Sequence, residues 1–198
     1  MTSQSETWAA LDLLKMLVLD PRYAALIAIL VAAAWIDVKS HRIPNSLVFV
    51  GIVFAVLYNG LNPPYLRDNG WVLALSGLGI GFIAFLPFHM LKAMGAGDVK
   101  LMAMVGAFLG PWPTFEATLA TGIAGGVLAI GFIFWTGRVR QAFHNVSLVM
   151  SSNLLTAPAG QLDFSLSPNS SAGKLPYGVA IATGTIAFLI LRQLGCIH

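Results

Sequence analysis

Trp35-Ile36-Asp37-Val38-Lys39-Ser40-His41-Arg42-Ile43-Pro44-Asn45 joins two apolar runs, and its reading decides how the chain folds. Residues 24–36 before it carry no polar or charged side chain, and residues 46–61 after it return to a mostly apolar run. Runs of this kind approach the ~20 residues that cross a bilayer as a helix. Pro44 biases Ile43 away from helix, and Asn45 can cap whatever follows. The stretch therefore reads as a tight hairpin over 39–45 that holds the ends of two spans together. Asp37 sits at its edge. An ionisable carboxylate at membrane depth costs ~2.5–3.5 kcal/mol on insertion scales, so it is a functional-site hypothesis from the outset.

The rest of the chain has the same character. Of 198 residues, 57% are hydrophobic and 10% charged, with a mean hydropathy of +0.79. Soluble domains carry about 25% charged side chains, so a soluble globular enzyme is excluded. Apolar segments are read at 23–38, 46–61, 71–91, 99–112, 117–136 and 177–194. The second and fourth are short, and periodicity alone does not separate a short span from a re-entrant segment. The expected fold is an all-α, polytopic membrane helical bundle of about six transmembrane helices, forming one domain over 1–198.

Both flanking polar regions are read as interfacial. In the lead-in 1–22, Trp8, Leu11, Leu14 and Val18 recur at helical spacing while Asp12 and Lys15 fall off that stripe, as in an amphipathic interfacial helix. Ala32-Ala33-Ala34 superficially offers a signal-peptide cleavage site. Glu6, Asp12 and Asp20 make the preceding stretch unlike a basic n-region, so cleavage is not expected. The loop 137–176 spaces Val139, Phe143, Val146, Met150 and Leu154 like an interfacial helix before a Ser/Pro/Asn-rich connector.

Charge sets orientation and excludes other classes. With the N-terminus outside, six spans put Lys39, Arg42, Lys92, Lys100, Arg138, Arg140 and Lys174 in the cytoplasm, and Lys15, Arg22, Arg67 and Arg192 outside. That arrangement satisfies the positive-inside bias. The net charge of +3 is scattered among loops, with no basic stripe for nucleic acid. Cys196, the single cysteine, excludes an intrachain disulfide and a CxxC zinc site. His41 and His89 have no companion at ligand spacing, so no metal is expected. Gly77 and Gly81, Gly106 and Gly110, and Gly122 and Gly126 form Gly-x-x-x-Gly pairs, read as helix packing.

A second acid lies in Gly95-Ala96-Gly97-Asp98-Val99-Lys100-Leu101. Gly95 and Gly97 are expected to break the chain through backbone conformations closed to other residues, so that Asp98 starts and caps the fourth helix. A cap alone does not account for Asp37. Lys39 and Lys100 each follow an aspartate by two positions, a spacing that does not face them on a helix. Snorkelling to lipid phosphates is the plainer reading for both.

Taken together, Gly95-x-Gly97-Asp98 with Val99-Lys100-Leu101, the upstream Asp37 and Ile43-Pro44-Asn45 resemble the type IV prepilin peptidases. The chain is most similar to their short form, which serves Flp-type (tight-adherence) pili. Lys174-Leu175-Pro176-Tyr177-Gly178 also resembles the family's C-terminal pattern. The resemblance implies that 46–61 and 99–112 are spans. It implies an aspartic endopeptidase of the bacterial inner membrane, with Asp37 and Asp98 catalytic at the cytoplasmic face. Gly95, Gly97, Lys100, Pro44 and Asn45 would support the active-site loops. It further implies a prepilin substrate and the lipid bilayer as partners, with pilus-assembly machinery beside them, and neither metal nor cofactor. Long-form relatives carry paired CxxC motifs associated with N-methylation of the pilin. The short, cysteine-free loop after Asp37 does not imply that activity. A proton-coupled transporter using buried aspartates, or a non-catalytic assembly scaffold, are the competing classes.

Overall fold

The structure, a computed structural model, describes residues 20–62, 69–91, 94–136 and 177–194. Six helices run through them: α1 Pro21–Ser40, α2 Asn45–Leu61, α3 Gly70–Met90, α4 Ala96–Leu109, α5 Pro111–Thr136 and α6 Tyr177–Gln193. Residues 1–19 of the expected interfacial lead-in, the loop 137–176 and Cys196 lie outside the described residues.

Local chemistry sets the helix ends. The Asp20 carboxylate accepts the Arg22 N–H at 3.0 Å and Pro21 opens the first turn, so α1 is capped by its own sequence. It closes at His41, whose left-handed φ of 49° lets its N–H reach the Asp37 carbonyl at 2.8 Å. Pro44 is extended and α2 begins right after it, which is the hairpin the sequence suggests. Asn69 caps α3 through the Trp71 N–H at 3.2 Å. The segment expected over 99–112 instead ends at Leu109. Gly110 takes a φ of 83°, a region that favours glycine, and Pro111 opens the next helix.

α4 is the centre of the bundle. It packs against each of the other five described helices, and every residue from Leu101 to Leu109 is buried. Small residues along it, Ala103, Gly106 and Ala107, let its neighbours close around it. Its close fit to α3 rests on glycine. A Cβ on Gly77 would run into the Gly106 carbonyl, one on Gly106 into the Gly77 carbonyl, and one on Gly81 into the Met102 carbonyl. Gly122 and Gly126, by contrast, face open space and take no part in packing among the described residues.

At the end away from Asp37, a buried polar network ties three helices. Arg22 Nη1 donates to Asn59 Oδ1 at 3.1 Å, and Asn59 Nδ2 donates to the Ala107 carbonyl at 2.8 Å. The cation thus lies near the carbonyl end of α4, where a helix dipole favours positive charge. A cavity of about 490 Å³ opens beside it, between Asp20, Arg22, Leu109, Trp112 and Arg192.

The outer surface is apolar. Trp35 is 64% exposed and Ile123 70%, with Phe49, Ile83, Val127 and Phe134 similarly bare. Monomeric soluble proteins rarely show so large a contiguous apolar surface, whereas helices facing lipid require it. Three helical stretches, Pro21–Ser40, Gly70–Met90 and Pro111–Gly131, are long and apolar enough to cross a membrane. α2 and α6 are shorter apolar helices, and the 14-residue α4 rises about 21 Å. The chain is an all-α membrane bundle.

Candidate active site

Asp37 lies in the last turn of α1 and Asp98 in the first turn of α4, and antiparallel packing brings these two ends together. Both are buried, at 6% and 8% exposure. Two contacts fix the start of α4 against the turn between α1 and α2. Lys100 Nζ donates to Asn45 Oδ1 at 3.0 Å. Gly97 lies against Ile43 so closely that a Cβ there would sit 3.3 Å from the Ile43 Cβ. Asp98 stands between Gly97 and Lys100 and is thereby held beside Asp37.

Gly95, Gly97, Lys100, Pro44 and Asn45 all lie at this end of the bundle, and several make contacts other than those expected. Asp98 does not open α4: the helix begins at Ala96, and Asp98 is its third residue. Its Oδ2 reaches back to accept the Gly95 N–H at 3.0 Å, satisfying a donor the helix cannot use internally. Neither Gly95 nor Gly97 has positive φ. A side chain at Gly97 would crowd Ile43, while its backbone is not unusual. Asn45 does not cap α2 with its side chain, because Pro44 holds the cap position and the Asn45 amide oxygen is turned to Lys100. Lys39 lies over the Trp35 ring, 4.6 Å from its centroid. His89 Nδ1 lies 3.1 Å from the Met94 carbonyl. Among the described residues, no three His, Cys, Asp or Glu side chains converge as a metal site would need.

The last helix adds what local sequence reading did not assign. The Gly178 N–H donates to Asp37 Oδ2 at 2.7 Å, and Tyr177 is near enough to feel the Asp98 charge. A glycine in the first turn of a helix, next to Pro176-Tyr177, was the available signal. Its partner, 141 residues away, was not readable.

Electrostatics follow from this enclosure. Asp98 lies outside the three membrane-crossing stretches. Burial pushes its carboxyl up from 3.8 to about 6, the Gly95 N–H opposes the rise, and the Asp37 charge adds to it. Two carboxyls placed so that one raises the other can hold a single proton between them and pass it either way.

A family model described as the type IV leader peptidase family matches residues 24–130. The chain belongs to that family. Among curated type IV leader peptidases, one from Myxococcus xanthus, named prepilin leader peptidase/N-methyltransferase, is 31% identical over 128 residues, covering 61% of this chain and 37% of that protein. One of the same name from Aeromonas salmonicida is 28% identical over 134 residues, covering 63% of this chain and 46% of its own length. The chain thus spans less than half the length of these curated relatives. No solved structure matches it. The family match takes in both aspartates but stops before α6, so Gly178 lies beyond it.

Proposed function

We propose that the chain is a membrane-embedded aspartic endopeptidase that removes the leader peptide of type IV prepilins, of the Flp type, at the cytoplasmic face of the bacterial inner membrane. The observation that carries this reading is the convergence of two buried carboxylates, Asp37 and Asp98, at one end of a membrane bundle in a member of the type IV leader peptidase family. With one proton between them, the ionised acid draws a proton from water as it attacks the scissile carbonyl. The protonated acid donates to the carbonyl oxygen. The tetrahedral intermediate then collapses and its C–N bond breaks. The acid that took water's proton gives it to the leaving amine, and a gem-diol hydroxyl returns its proton to the other acid. Hydrolysis by this route needs no cofactor.

The choice of face is supported by the lysines and arginines, seven of which fall on the side of Asp37 and Asp98 if six segments span. A prepilin presents a basic leader in the cytoplasm and an apolar stem in the bilayer, so the scissile bond arrives at that boundary. The Flp assignment is supported by the short turn between α1 and α2. Of the two activities in the relatives' names, only the peptidase is carried over, because that turn holds no cysteine.

The test is reconstitution of the purified chain in liposomes with Flp-type and other type IV prepilins, followed by mass spectrometry. A leaderless Flp pilin as the main product is expected; intact prepilins at every pH tried contradict the reading. Cysteine at Ser40, in a Cys196→Ser background, should resist an impermeant thiol reagent in spheroplasts, and cysteine at Asn62 should react. The reverse would place the aspartates on the wrong side for a cytoplasmic leader.

A further inference from the structure

We infer that Gly178 is a positioning residue for the reaction: its backbone N–H holds the Asp37 carboxylate in its working orientation, which makes the first turn of α6 part of the active site. This rests on the peptidase reading above and goes beyond it, since α6 lies outside the stretch matched to the family.

The contact is short, buried and long-range. Gly178 N–H meets Asp37 Oδ2 at 2.7 Å from the far end of the chain. The approach requires glycine. A Cβ at position 178 would lie 2.8 Å from Oδ2, 3.0 Å from the Asp37 Cβ and 3.1 Å from Cγ, so any larger residue has to push the carboxylate away. Gly178 is the second residue of α6, and N–H groups there have no partner within the helix. They carry the positive end of the helix dipole, which suits an ionised acid.

The two acids are held differently. Asp98 is bonded by Gly95 of its own helix turn, while Asp37 takes its donor from another helix. Other charged or titratable groups at this end include Tyr177 near Asp98, Lys39 over Trp35, Lys100 on Asn45, and His41 and Arg42 in the turn after α1. With Oδ2 committed to Gly178, Oδ1 is left to take the proton from water. A purely structural alternative is that Asp37 only caps α6. Asparagine caps as well as aspartate, so a cap role survives Asp37→Asn and a catalytic one does not.

The decisive variant replaces the Gly178 amide with an ester by incorporating glycolic acid, which deletes the N–H and adds no atom that crowds Asp37. Two readouts apply, one without substrate. Infrared difference spectroscopy follows the Asp37 carboxyl stretch, assigned by its loss in Asp37→Asn, and its frequency should shift when the N–H is deleted. Prepilin cleavage should show kcat down ~10-fold with KM within about twofold. Gly178→Ala should lower kcat at least as much. An unchanged band, or unchanged turnover, in a folded ester variant overturns the inference and leaves the peptidase reading standing. A shifted band in a protein whose wild type cleaves no prepilin keeps the contact and removes that reading.

Discussion

Lys100 Nζ and Asn45 Oδ1 meet at 3.0 Å across 55 residues, joining the first turns of α4 and α2. The bond carries no chemistry itself, but it ties the helix that bears Asp98 to the start of α2, just after the turn that follows Asp37. Lys100→Met keeps the apolar stem and removes the donor. Cleavage should fall ~3–10-fold, since small misplacement of reacting groups is costly. Asn45→Leu should match it, the double variant should be no worse than either, and Asn45→Asp should stay near wild type. Additive losses in the double variant would mean that the two side chains act separately.

Gly97 tests close packing against backbone freedom. Its φ is not positive, so a β-branched residue meets Ile43 and not a forbidden conformation. Gly97→Val should remove most activity and Gly97→Ala only part. Ile43→Ala should restore much of what Gly97→Ala loses, by opening the space the new methyl needs. Without that rescue, assayed at matched protein levels, the steric account of this glycine fails.

Much of the bundle was legible because its punctuation is chemical. Pro44 and the limits of the first three apolar runs place α1, α2 and α3 to within two residues at each end. The convergence of Asp37 and Asp98 was legible only through the motif. What escaped was set by tertiary contact. Gly110 ends the fourth helix three residues before the expected limit at 112, through a φ that no pattern announces. Asn45 prefers Lys100 to its own helix end, and Gly178 serves an acid on the first helix. That α4 is enclosed by all five other described helices was not legible either, since an apolar run serves equally well against lipid.

The far end should govern stability and not turnover. Asn59 is fully buried and links Arg22 to the α4 carbonyls. Asn59→Ala leaves a buried cation and a carbonyl without this partner. The expected loss is about 2–4 kcal/mol in detergent unfolding, with kcat at permissive temperature within about twofold. A loss of kcat without a loss of stability would contradict this division of labour.

The proposed mechanism ties the pH behaviour to Asp98. It needs one proton on the pair, so rate against pH should be bell-shaped. It falls in acid as both carboxyls become protonated, and falls again as pH rises through about 6 and beyond, when Asp98 gives up its proton. Chelators should leave the curve in place. Stability follows the same group. The folded state holds this proton more tightly than the unfolded chain, so the stabilisation is complete below the ordinary value of 3.8 and lost as pH rises through about 6. Asp98→Asn should therefore be more stable than wild type at pH 8, by on the order of 1–3 kcal/mol, with the difference vanishing near pH 4. A pH-independent difference would mean that desolvation of Asp98 is not its source.

The most direct measurement is the cleavage of a Flp-type prepilin by wild type, Asp37→Asn and Asp98→Asn, in matched liposomes, read by intact-mass spectrometry. Asparagine keeps the shape of aspartate and still accepts from Gly178 and Gly95, so both variants should insert and fold. Each should lose at least ~10³-fold in kcat/KM, because neither can exchange the shared proton. Near-normal release of the leader by either variant would contradict the two-aspartate site.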